Sequence, residues 1–131
     1  MKMFIGGEWT DRDDKLDVLN PFDGSVVDTV PKATPEDVAR AVATAEQGAA
    51  IMRDMPAYER YQILHRASRI MEERLDDLGR TITLEEGKIL PEGLGEAARS
   101  LETITLSAEE AKRLTGETLG LDGASNGAGK F

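Results

Sequence analysis

Apolar residues follow two rhythms along the 131-residue chain: short pieces broken by turn residues up to residue 33, then long runs at helical spacing. Residues 3–10 carry two short apolar pieces around Gly6-Gly7, a pair that tolerates the positive φ angles of a tight hairpin. Residues 15–19 and 25–30 flank Asn20-Pro21-Phe22-Asp23-Gly24, where Pro fixes φ, Asp can bond its own backbone and Gly accepts the left-handed region. Two β-hairpins are therefore expected.

Thr34-Pro35-Glu36-Asp37 reads as a helix start: a hydroxyl cap, a Pro at the first helical position, then acids beside the positive end of the helix dipole. Val38, Ala41, Val42, Ala45, Ala49 and Met52 then recur at helical spacing as one narrow stripe. Met55-Pro56 ends this helix, because the residue before Pro disfavours helical ψ. A second helix is expected over 57–75, with Tyr61, Leu64, Ser68, Met71 and Leu75 inward and Ile63, Ala67 and Ile70 widening the face. A third, over 76–86, carries Leu78 and Ile82 and ends on Gly87. The fourth, over 91–115, repeats Leu94, Ala97, Leu101, Ile104, Ala108, Ala111 and Leu114 in steps of three and four, with Gly116 as its cap.

These elements predict an α+β, mainly α, architecture: β-hairpins in 1–33, about four packed helices in 34–116, and a flexible Gly-rich tail in 123–131. With 40% hydrophobic but only 5% aromatic residues, the core should be aliphatic and rich in alanine. The absence of cysteine excludes a thiol nucleophile, a disulfide framework and Cys-ligated zinc. A net charge of -9 argues against a phosphate-backbone partner, since nucleic-acid affinity depends on Lys and Arg displacing counterions. No apolar run is long enough for a bilayer and no signal-peptide pattern opens the chain, so a soluble cytoplasmic protein is expected, with neither nucleic acid nor membrane as partner.

Residues that carry chemistry elsewhere read here as structural. His65, the only histidine, lies mid-helix with no nucleophile at a supporting spacing, and reads as a surface or packing residue. Glu72-Glu73, Asp76-Asp77, Glu85-Glu86 and Glu109-Glu110 are adjacent pairs whose side chains diverge by about 100° on a helix. With Arg69, Arg74, Lys88 and Lys112 nearby, they read as solvated, ion-paired faces. GASNGAGK fails as a phosphate loop, because Ala124 stands where the first Gly is needed and Phe131 follows Lys130.

In their order and spacing, FIGGEW, the LNPFDGSVV turn, MPAYERYQILHRASRIMEERLDDLG and the stretch TLEEGKILPEGLGEAARSLETITLSAEEAKRLTGETLGLD make this chain resemble the N-terminal part of NAD(P)-dependent aldehyde dehydrogenases. The resemblance covers residues 1–122 and implies a truncated piece of that fold. Gly120 departs from it, standing where the family commonly has Pro before Leu-Asp. What the resemblance implies for the whole enzyme is oxidation of an aldehyde with NAD or NADP, through a Cys nucleophile and a Glu general base placed beyond Phe131. The chain itself is then expected to bind no cofactor, to carry no catalytic residue and to be inactive.

The resemblance also implies a structural monovalent cation, held by the Val18 and Leu19 carbonyls and the Glu96 carboxylate. SAEEAKRLTGETLGLD looks most like the branch acting on small aliphatic, hydroxy or semialdehyde substrates. The implied partner is the remainder of the dehydrogenase chain. Without it, apolar helix faces in 57–75 or 91–115 are expected to drive self-association. The competing reading is a free-standing helical adaptor or regulatory module of the same ancestry.

Overall fold

The computed structural model describes residues 1–117 and 125–127. Two antiparallel strand pairs come first: β1 (Met3–Ile5) with β2 (Glu8–Thr10), and β3 (Lys15–Leu19) with β4 (Val26–Pro31). Gly6 and Gly7, at φ 60° and 87°, form the tight turn of the first hairpin. In the second, Gly24 N–H donates to the Asn20 carbonyl and Asn20 N–H to Ser25, while Phe22 N–H donates to the Asn20 side chain. Four helices follow: α1 (Pro35–Asp54), α2 (Ala57–Glu73), α3 (Leu75–Glu86) and α4 (Leu90–Ala111). The mainly helical fold expected from the sequence is the fold observed.

α4 is the hub, with α2 and α3 both packed along it. Its inner face is the expected stripe of Leu94, Ala97, Leu101, Ile104, Ala108 and Ala111, and the buried apolar residues are the three alanines. No large side chain is fully buried among the described residues. Backbones approach closely instead: Ser68 on α2 is buried with its hydroxyl donating to the His65 carbonyl, and Gly79 on α3 lies against Gly93 and Leu94 of α4.

α4 ends at Ala111 instead of Thr115, and Gly116 does not cap it. The Lys112 and Arg113 N–H groups turn back to Glu109 and Glu110 in i→i−3 bonds, and their side chains pair with the same two carboxylates. Leu114 is 76% exposed, so no apolar contact rewards another turn. At the other break, Arg74 (φ -116°, ψ 19°) separates α2 from α3 and passes Leu75 to the third helix. Ile63 and Ile70 do not widen the α2 face; they stay exposed because α4 approaches through the Leu64, Ser68 and Met71 side.

The largest departure concerns α1. Among the described residues its principal partner is β1, and the side it turns inward runs through Asp37, Ala41, Thr44 and Gly48. Gly6 sits directly on Thr44, where a Cβ would meet Thr44 Cγ2 at 2.9 Å. Of the apolar stripe read from the sequence only Ala41 is half-buried, while Val38, Val42 and Met52 are 54%, 63% and 46% exposed.

One buried carboxylate fastens the start of α1. Thr34 and Asp37 exchange backbone-to-side-chain bonds in a capping box, and Arg12 Nε donates to Asp37 Oδ2 at 3.0 Å. The Thr34 N–H, and after it the Arg12 guanidinium, hold the Asp37 carboxyl below the usual carboxylate range. A lowered folded value means that this contribution is complete above the unfolded value of about 3.9 and disappears as pH falls through the folded one. Stability should therefore decline below about pH 4, and Asp37→Asn should flatten that decline in acid titrations followed by circular dichroism. An acid limb identical in the two proteins would contradict this assignment.

The flexible tail expected for 123–131 lies outside the described residues, apart from a turn at 125–127.

Candidate functional site

A group of charged side chains gathers where α3 hands over to α4. Gly87, at φ 71°, caps α3 in the left-handed conformation, and its N–H donates to the Thr83 carbonyl. Pro21, in the turn of the second hairpin, presses on that cap: a Cβ at residue 87 would meet Pro21 Cγ at 2.8 Å. The left-handed turn sends Lys88 back across the start of α4. There its ammonium pairs with Glu86 Oε2 at 2.6 Å and with Glu96 Oε2.

Lys88 and Glu96 are half-buried, and with Glu92, Gly95 and Arg99 they line an open cleft of about 400 Å³. The Glu86 and Glu96 carboxylates raise the Lys88 pKa, and the Lys88 ammonium lowers that of Glu96. Both groups are thus kept charged near neutrality. The cluster can neutralise and position; it holds no nucleophile and no histidine.

Of the sequence-derived cation ligands, Glu96 is in the first turns of α4, while Val18 and Leu19 are the last residues of β3. Val18 pairs with Asp28 and Leu19 with Val26, so a bulge falls between them just before the Asn20 turn. The Pro21–Gly87 contact places that turn beside the α3–α4 link. Among the described residues no group of three or more His, Cys, Asp or Glu side chains converges as a metal site. The donor set also departs from what a cation requires, since a Glu96 oxygen already faces an ammonium.

Lys88 is the member that sequence reasoning did not assign to this site. The signal was a Lys eight residues before a Glu with Gly-Lys-Ile-Leu-Pro between two helical patterns, a spacing that joins the two only once the link is known to fold back. Arg12 was missed in the same way, although the Thr34-Pro-Glu-Asp37 spacing contained its partner.

The other candidates sit in packing and ion-pair contacts. His65 stacks on Tyr61 with centroids 5.3 Å apart, and Lys112 Nζ sits 4.0 Å above the Tyr61 ring, joining the end of α4 to α2. Arg69–Glu72 and Arg80–Asp76 are exposed intrahelical pairs, and Lys112–Glu109 and Arg113–Glu110 tie the two residues past α4 to its last turn. The phosphate-loop near-miss lies outside the described residues, apart from 125–127. No helix among the described residues is long and apolar enough to cross a membrane.

Two hairpins lead into a helical part in which α2 and α3 pack along α4, and the sequence contains no thiol. The aldehyde dehydrogenase family matches residues 9–129, and the chain belongs to that family. Glutarate-semialdehyde dehydrogenase of Pseudomonas putida is 41% identical over 118 residues, 88% of this chain and 25% of that protein. Succinate-semialdehyde dehydrogenase (NADP+) of Escherichia coli is 38% identical over 117 residues, again 88% of this chain, and 24% of that protein. The crystal structure of aldehyde dehydrogenase 21 from Physcomitrella patens with the reaction product succinate matches at TM-score 0.92 and 32% identity, over 98% of this chain and 27% of that one. The chain spans about a quarter of the length of these relatives.

Proposed function

We propose that this chain is the N-terminal scaffold of an NAD(P)-dependent aldehyde dehydrogenase whose substrate is a small semialdehyde, an aldehyde with a carboxylate at its other end. The observation that carries the reading is the open apolar side of α1, in a family member spanning about a quarter of its relatives. A 20-residue helix that buries only a small-residue edge against one hairpin is shaped to be covered by further polypeptide. The substrate class rests on the glutarate- and succinate-semialdehyde relatives and on the succinate of the structural one.

In such an enzyme NAD(P)+ supplies the hydride acceptor. A Cys outside these 131 residues attacks the carbonyl carbon, and water activated by a Glu releases the acid. The residues in hand hold shape: α4 gathers α2 and α3, and residues 1–122 act as a shoulder for the remainder of the chain. By itself the chain turns nothing over, because it has no thiol to attack the aldehyde. Reduction of NAD+ or NADP+ by succinate semialdehyde, followed at 340 nm, should stay at background with the mass-verified 131-residue chain. Turnover above background would overturn the inactive-scaffold reading, and an inactive protein from a longer open reading frame would overturn the dehydrogenase one.

A second element of the proposal is that the chain alone self-associates. Ile63 and Ile70 on α2, Leu106 on α4, and Val38, Val42 and Ile51 on α1 all stand exposed, and pairing of copies is the available way to remove them from water.

A further inference from the structure

We propose that Lys88 is the built-in counter-ion of Glu96, its ammonium engaging the carboxylate that the family resemblance assigns to a monovalent cation, so that the segment folds independently of sodium or potassium. The inference concerns the chain's own charge balance and stands whether or not the dehydrogenase reading holds. Three observations meet in it. The left-handed Gly87 cap, pressed by Pro21, leaves the link one direction to take, and that direction carries the Lys88 stem over the first turns of α4. The ammonium then lies between two carboxylates, Glu86 from the end of α3 and Glu96 from α4. Finally, Lys88 and Arg99 balance the two carboxylates of the cleft, where Glu92 precedes Glu96 by one turn and like charges stack on that face.

An ammonium and an alkali ion answer the same need, a single positive charge within reach of carboxylate oxygen. The difference is entropic. Lys88 is tethered, two residues from Glu86 and eight from Glu96, and its effective concentration there does not depend on the salt outside. An ion bound at the same oxygen would have to displace it. Removing the charge at residue 88 tips the balance: Glu92 and Glu96 would then face the cleft with Arg99 as its remaining cation, and Glu86 would lose its partner as well. Hard oxygen donors of that kind accept alkali ions.

The test is thermal unfolding of the 131-residue chain in sodium, potassium and choline chloride at equal ionic strength, so that screening is common to all three. The natural chain should melt within about 1 °C in the three salts. Lys88→Met should melt about 3 °C or more higher in sodium or potassium than in choline, the signature of a ligand bound by the folded state alone. Adding Glu96→Gln to that variant should erase the difference. A sodium- or potassium-specific rise in the natural chain would overturn the proposal, as would a Lys88→Met variant blind to the identity of the cation. Should Lys88→Met fail to fold, sodium-23 line widths decide on the natural chain: no broadening beyond that of the Glu96→Gln control supports the proposal, and excess broadening overturns it.

Discussion

Gly93→Ala should lower the unfolding free energy by about 1–3 kcal/mol, while Gly95→Ala, two residues along the same helix, should raise it by about 0.5–1 kcal/mol. Both changes gain the same helix propensity, because alanine restricts the unfolded chain and glycine does not. What separates them is space. A Cβ at residue 93 would lie 2.5 Å from the Gly79 carbonyl oxygen and 2.5 Å from Thr83 Oγ1, whereas at residue 95 nothing stands within 4 Å. Gly79 is itself pinned, since its own Cβ position is 2.9 Å from Leu94 Cα. The obstacles are largely backbone, so α3 must move off α4 as a body, and overpacking outweighs the propensity gain. Urea midpoints of the two variants test the contrast; equal shifts in the same direction would show that the α3–α4 contact is looser than the structure has it.

The second large effect concerns association. At high concentration the chain should scatter light as a dimer or larger species and bind a hydrophobic dye, and Val38→Lys together with Val42→Lys should weaken association at least about tenfold, a change of about 1.4 kcal/mol. Val38 and Val42 are 54% and 63% exposed one turn apart on α1, on the side away from the β1 contact, so charge there leaves the internal packing untouched. Hydrophobic burial is worth about 25 cal/mol per Å², which makes two such side chains enough to matter in a weak interface. A monomeric natural chain that ignores the dye would refute the expectation. Association unchanged by the two lysines would move it to the exposed Ile63, Ile70 and Leu106 side.

Where a local rule decides an element, the sequence revealed it. Gly6-Gly7, the Asn20–Gly24 turn, the Thr34 cap and the Gly87 stop each draw on chemistry within about five residues, and each lies where expected. The α4 stripe was legible because two helices press on it, and a periodic pattern then coincides with real burial. On α1 the same kind of pattern marks a face with no partner among the described residues. Periodicity reports what a helix is able to bury and is silent on what covers it. The end of α4 went astray because Gly116 signals a cap only if the helix reaches it, and Leu114 finds nothing to pack on. At the candidate site, Glu96 could be named from the family pattern. Its partner could not, since the Lys88 contact depends on how Pro21 meets Gly87 across more than sixty residues of chain.

The link between α3 and α4 is only residues 87–89, whereas α2 is separated from its partner α4 by the whole of α3. Joining the nearer pair closes the smallest loop and so sacrifices the least chain entropy. On a ribosome α2 emerges before α3, yet it has little to settle on until α4 has followed. Order of synthesis and order of assembly therefore part company here, and nascent α2 waits with its Leu64, Ser68 and Met71 side uncovered, the interval in which a chaperone would find most to hold.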